Sequence, residues 1–106
     1  MIKLHNPSTG EEVLVNYNSS EPCQIHIVNK SSQAIAVCWL DENKAETEYA
    51  KVQPGSSVLQ PTFVGHPWIL RDSIKRRPFY MHVAGQGTCN LIIQKHPKQH
   101  NSLEVV

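Results

Sequence analysis

The sequence predicts an all-β protein, a seven- or eight-stranded antiparallel β-sandwich with little helix. Three observations point there. Short β-like runs alternate with turn residues along the whole chain, the pattern of sandwiches and barrels. Residues 23–29 (CQIHIVN) place Cys23, Ile25 and Ile27 on one side and Gln24 and His26 on the other, which is a half-buried strand. No segment before residue 97 carries the 3.6-residue period of an amphipathic helix.

Taken in order, residues 12–17 (EVLVNY) are the first candidate strand and 23–29 the next. Residues 34–40 (AIAVCWL) are nearly all apolar, so they predict a central strand. Asp41 to Lys44 make a polar break, and Pro54-Gly55 is a turn signal after Val52. Short strands are expected at 57–60, 62–64 and 68–71, then at 78–83 and 88–94, the last two split by Gly85-Gln86-Gly87. Residues 98–106 (KQHNSLEVV) predict the start of a helix, with Asn101 or Ser102 as its cap. The domain reading is therefore a β-sandwich over 1–96 and a linker or truncated helix start over 97–106.

Length and composition narrow the function. A chain of 106 residues suits one domain with a modest core. A net charge of +1 creates no field that would draw nucleic acid or a membrane surface. No apolar stretch approaches the ~20 residues of a membrane span, and MIKLHNPSTG has no signal-peptide core. The expected location is thus intracellular, cytoplasmic and nuclear. Cys23, Cys38 and Cys89 are odd in number and form no C-x-x-C pair, so buried free thiols are expected. Asn18-Ser19-Ser20 and Asn29-Lys30-Ser31 match the glycosylation sequon but carry no weight without secretion. Lys75-Arg76-Arg77 reads as a solvated loop.

Enzyme signatures are absent. Gly85-Gln86-Gly87 is too short to cradle a phosphate, and there is no G-x-S-x-G elbow. The six histidines include no H-E-x-x-H motif and no cysteine pair joins them, so neither a metal nor another cofactor is expected. The informative residues are aromatic. Trp39, Tyr49, His66 and Trp68 cluster in a chain with only 7% aromatics. Thr62, His66 and Trp68 share parity, and Gly65 permits a bend that would bring His66 and Trp68 together. Spacing alone leaves two readings open: core tryptophans, or a ligand cleft.

The segment from Tyr17 to Asp72 resembles the β domain of the von Hippel-Lindau family, without a gap. Asn18-Ser19-Ser20-Glu21-Pro22 resembles the family's N-S-R-E-P, residues 24–31 (QIHIVNKS) its Q-V-I-F-C-N-R-S, and Trp39-Leu40 its W-L. Gln53-Pro54-Gly55 resembles its P-P-G, and residues 65–72 (GHPWILRD) its G-H-L-W-L-F-R-D. The resemblance implies a β-sandwich that binds an extended degron peptide, of the hypoxia-inducible factor α type, once a proline in it is 4-hydroxylated. It implies a hydroxyproline pocket at Trp39, Tyr49, Thr62, His66 and Trp68, with Thr62 in place of the family's serine. It implies flanking peptide contacts at Asn18, Pro61 and Phe63; Phe63 stands for a tyrosine, Pro61 for a histidine, and Ser20 for an arginine.

Residues 102–106 (SLEVV) resemble the start of the family's elongin-binding helical box, C-L-Q-V-V, with Ser102 for the cysteine and Lys98 for an upstream leucine. An elongin C and cullin assembly is the partner implied if the chain continues past Val106. Two functions are therefore expected to compete: a hydroxyproline-reading receptor of a ubiquitin ligase, and a stand-alone β-sandwich interaction domain. Solvent access separates them, because only the first requires Trp39, Tyr49, His66 and Trp68 to line one cleft.

Overall fold

A computed structural model describes residues 1–95 and 101–105, in which ten strands and no helix are found. They are β1 Ile2–His5, β2 Glu12–Val15, β3 Pro22–Asn29, β4 Ile35–Leu40, β5 Glu46–Val52, β6 Ser57–Phe63, β7 Pro67–Asp72, β8 Pro78–Val83, β9 Thr88–Lys95 and β10 Asn101–Val105. Two four-stranded sheets, in the orders β10-β9-β3-β6 and β5-β4-β7-β8, pack as a sandwich. The β1–β2 hairpin is a separate two-stranded unit. The expected all-β sandwich is thus the observed one, with eight strands in its two sheets. One pairing is not antiparallel: β3 and β9 run in parallel, Ile25 beside Cys89 and Ile27 beside Leu91.

The alternation of β3 is what makes it an interior strand of one sheet. Ile25 and Ile27 point into the sandwich, where they meet Leu91 and Ile93 of β9, Ile35 and Val37 of β4, and Trp68 and Leu70 of β7. β4 has no polar face because both of its faces are covered. Ile35 and Val37 enter the sandwich core, whereas Ala36, Cys38 and Leu40 join Ile69 and Met81 in a second cluster, closed by Leu4 and Val15 of the hairpin. Burial on both faces is the physical reason for an apolar run such as AIAVCWL.

Four expectations change. β5 falls where no strand was expected, because ETEYAKV is an edge strand exposed along most of its length and lacks an apolar alternation. β6 is one strand rather than two short ones. It contains Pro61, which an edge strand tolerates because the missing N–H breaks no inner ladder. β1 is a strand that only Leu4 anchors in a core. The helix expected from residue 98 is overturned at 101–105: that segment is β10, paired antiparallel with β9 from Asn101 beside Lys95 to Val105 beside Leu91. A strand supplied to the otherwise open edge of β9 has its backbone groups paired, whereas a one-turn helix is marginal in water. Lys98 lies outside the described residues.

The polar features of the sequence also find places. Arg76 of the basic run stays exposed and pairs with Glu48 at 2.8 Å, and Arg71 holds Glu46 through two hydrogen bonds, from Nε at 2.7 Å and Nη2 at 2.5 Å. The Arg71 guanidinium beside Glu46 keeps that carboxyl below its usual range. Cys23 and Cys38 are buried and Cys89 half-buried, all free. Asn29, read as half of a sequon, is completely buried. Its Nδ2 donates to the carbonyls of Gln33 (2.7 Å) and Val52 (2.9 Å), and its Oδ1 accepts from Ser31 N (2.9 Å) and Ser31 Oγ (2.6 Å). One side chain thus closes the β3–β4 loop and ties it to β5.

Asn29→Ala leaves several buried groups without partners, at about 1–3 kcal/mol each. The variant is expected to lose about 3 kcal/mol or more of stability in urea denaturation. A loss under 1 kcal/mol would show that the clamp is incidental.

Candidate functional site

Where the edge strands β5 and β6 of the two sheets meet, side chains form a cleft of about 180 Å³. It is lined by Trp39, Tyr49, Gln60, Pro61, Thr62, Phe63, His66 and Trp68. That volume suits one side chain and falls short of the ~300–1,000 Å³ of a drug-sized pocket.

Strand register sets the floor. Trp39 of β4 lies directly beside Trp68 of β7, which lies beside His82 of β8. Trp68 belongs to the core, at 3% exposure, yet its indole edge reaches the cleft and donates from Nε1 to Thr62 Oγ1 at 2.9 Å. This bond runs from one sheet to the other. Thr62 accepts there, so its own O–H is left free to donate. Tyr49 packs edge-on against Trp68, with ring centroids 5.5 Å apart, and stays 56% exposed at the rim.

The opposite wall is His66. It sits in the turn between β6 and β7, 6.0 Å from the Trp39 ring and 5.6 Å from Phe63. Trp39 Nε1 donates to His66 Nδ1 at 3.3 Å. Nδ1 can accept that bond only when it carries no proton, which places the proton of the neutral ring on Nε2. Burial pushes the His66 pKa down, and the Tyr17 backbone beside the ring offsets part of that shift. His66 is therefore neutral at neutral pH. Its Nε2 is buried and makes no full hydrogen bond.

Gly65 places that histidine. Its φ of +91° is open to glycine, and a Cβ there would sit 2.8 Å from Asn16 Cβ and 2.9 Å from Asn16 O. Asn16 N donates to Gly65 O at 2.9 Å, so the exit of β2 is held against the β6–β7 turn. That contact brings Tyr17 to 5.6 Å from His66.

All five residues expected to form a pocket line this one cleft, and so do Pro61 and Phe63. Asn18 does not; it lies exposed in the β2–β3 loop and is absent from the lining. Shared parity is not what unites Thr62, His66 and Trp68, because the chain turns between β6 and β7 and the two strands lie in different sheets. Sequence reasoning missed Gln60 and Tyr17. Gln60 shares the inward parity of Thr62 on β6, a signal that was available. Tyr17 comes near only through the Asn16–Gly65 contact, which no spacing encodes.

Fold and cleft together define a class, the all-β recognition domain with a preformed aromatic cleft at a sheet edge. The VHL beta domain model matches residues 14–86, about two thirds of the chain, and the chain belongs to that family. The VHL beta domain is a recognition domain, not a known enzyme family, and membership implies binding of a substrate peptide. Every residue that lines the cleft lies inside the matched segment.

Two histidines, His82 buried and His66 half-buried, make stability depend on pH. Burial lowers the pKa of both His66 and His82 from 6.5, so the unfolded chain takes up protons first as pH falls. Their contribution is complete above pH 6.5 and is lost as pH drops from there through the folded-state values. The urea midpoint is expected to fall between pH 7.5 and pH 5.5, with a shallower fall in His82→Leu. A midpoint that stays flat or rises on acidification would contradict this.

Proposed function

We propose that this chain is a substrate-recognition module that binds an extended peptide through 4-hydroxyproline, for delivery to a ubiquitin ligase in the cytoplasm and nucleus. The observation that carries the proposal is the anchored Thr62 hydroxyl beside a neutral His66, between tryptophan and tyrosine rings. Hydroxyproline is a rigid ring with one hydroxyl. Aromatic faces clamp such a ring at little entropic cost. The ligand hydroxyl can accept from the Thr62 O–H and from the His66 Nε2–H, so its desolvation is compensated. An unmodified proline would fill the same space and leave both groups unpaired, which is how a site built for a hydroxyl rejects its absence. The peptide would run along the open edge of β6, where Pro61 and Phe63 offer an apolar shoulder.

The target class that the resemblance suggests is a hypoxia-inducible factor α-like degron. Elongin C would need residues 102–106 as a helix, whereas Ser102–Val105 lie in β10. Elongin C is therefore expected to bind this 106-residue chain weakly or not at all in a pull-down from purified components, and tight capture would overturn that expectation.

Calorimetric titration with paired peptides tests the cleft. Two unpaired buried groups cost at least about 2 kcal/mol, so hydroxyproline should win over proline by roughly 30-fold or more. Thr62→Ala and His66→Ala should each erode that ratio, and Thr62→Ser should keep it. Trp68→Ala should weaken both peptides alike by removing ring packing. Equal affinity for the two peptides in a folded protein would leave a stand-alone interaction domain and end the proposal.

A further inference from the structure

A second cavity adjoins the cleft across Trp39 and His66, which line both. It measures about 460 Å³, and Tyr17, Asp41, Glu42 and Asn43 complete its walls. Two of those walls are aromatic and nearly perpendicular: the Tyr17 and Trp39 rings lie 6.2 Å apart at 86°. Tyr17 cannot swing away, because its hydroxyl donates to Leu40 O at 2.6 Å. Its pKa is pushed up to about 12, first by burial and then by Asp41 and Glu42, so the ring stays neutral within the field of both carboxylates.

The lip carries negative charge that no ion pair among the described residues meets. Asp41 Oδ1 accepts from the backbone N–H groups of Asn43 and Ala45, which fixes the carboxylate in the β4–β5 turn. Glu42 is exposed, and the ion pairs found among the described residues engage Glu46 and Glu48 instead. Lys44, the cation of the same turn, lines a different cavity under the β1–β2 hairpin. Perpendicular ring faces with carboxylates at their edge, and a neutral imidazole behind, are the chemistry of a cation site. Arginine suits it particularly, because a guanidinium stacks on an indole face while its N–H groups reach a carboxylate.

We infer that this cavity takes the cationic side chain of a lysine or arginine close to the hydroxyproline in the same bound peptide. The inference rests on the peptide-binding proposal above. It adds a second specificity element, charge, to the hydroxyl. The two cavities share one wall, and an extended peptide advances only about 3.3 Å per residue. The cation is therefore expected within three residues of the modified proline. An acidic residue at that place would be repelled.

The test is calorimetric, with hydroxyproline peptides that carry arginine, glutamine or glutamate at each of the three positions on either side. At one position arginine should bind about five- to tenfold tighter than glutamine, and glutamate weaker than both. Raising the salt concentration should shrink the difference. Glu42→Gln should reduce the arginine advantage, and Glu42→Lys should turn the preference toward glutamate. Glu42 is exposed, so an unchanged melting temperature can establish that both variants are folded. Hydroxyproline peptides that bind equally well whatever the charge at every position would overturn the cation site and leave the hydroxyproline cleft standing. Failure of every hydroxyproline peptide to bind would overturn both.

Discussion

One hydrogen bond organises the binding end of this protein. Trp68 Nε1 donates to Thr62 Oγ1 across the space between the two sheets. The bond satisfies the only polar atom of a core indole, which would otherwise be buried unpaired. It also orients the threonine so that its remaining hydrogen is available. Packing the core and shaping the cleft are thus two uses of one side chain. Trp68 contributes its ring to the core with Ile25, Ile35 and Leu91, and contributes its edge to the cleft.

The rest of the architecture serves to hold that end rigid. β4 and β7 lie side by side in the middle of their sheet and are covered on both faces, by the sandwich core and by the β1–β2 hairpin. Trp39 and Trp68 project from these two strands, so the floor of the cleft rests on two mostly buried strands. The walls come from less restrained parts. Tyr49 stands on an edge strand, and His66 in a turn held by Gly65 against Asn16. A rigid floor with restrained but more adaptable walls limits the ordering cost of binding to the rim.

Much of this was legible in the sequence where burial leaves a pattern. CQIHIVN reads as β3 because only one of its faces enters the core, and AIAVCWL reads as central because both faces of β4 are covered. β5 left no pattern: most of its side chains are exposed or form ion pairs, only Val52 is buried in the core, and register with β4 rather than apolar alternation makes it a strand. The parallel pairing of β3 with β9 joins Gln24 to Thr88 across 64 residues of sequence, and periodicity carries no record of strand direction. SLEVV suits a helix start by composition, but Leu103 and Val105 also alternate, and the open edge of β9 decided between the two. At the site, spacing alone could not tell core tryptophans from cleft-lining ones, because Trp68 is buried in the core and also lines the cleft. The resemblance to the VHL beta domain singled out the five cleft residues. It was silent on Tyr17, Asp41 and Glu42, which build the neighbouring cavity.

The central claim is that the Thr62 and Trp68 pair reads a hydroxyl group on a bound ring. An NMR titration on ¹⁵N-labelled protein addresses it directly, since the indole N–H groups of Trp39 and Trp68 give resolved signals. A hydroxyproline peptide is predicted to shift both indole signals and the Thr62 amide more than any others, while the proline peptide at the same concentration leaves them nearly in place. Equal shifts from the two peptides, or shifts confined to residues of β3 and β9 remote from the cleft, would contradict the account.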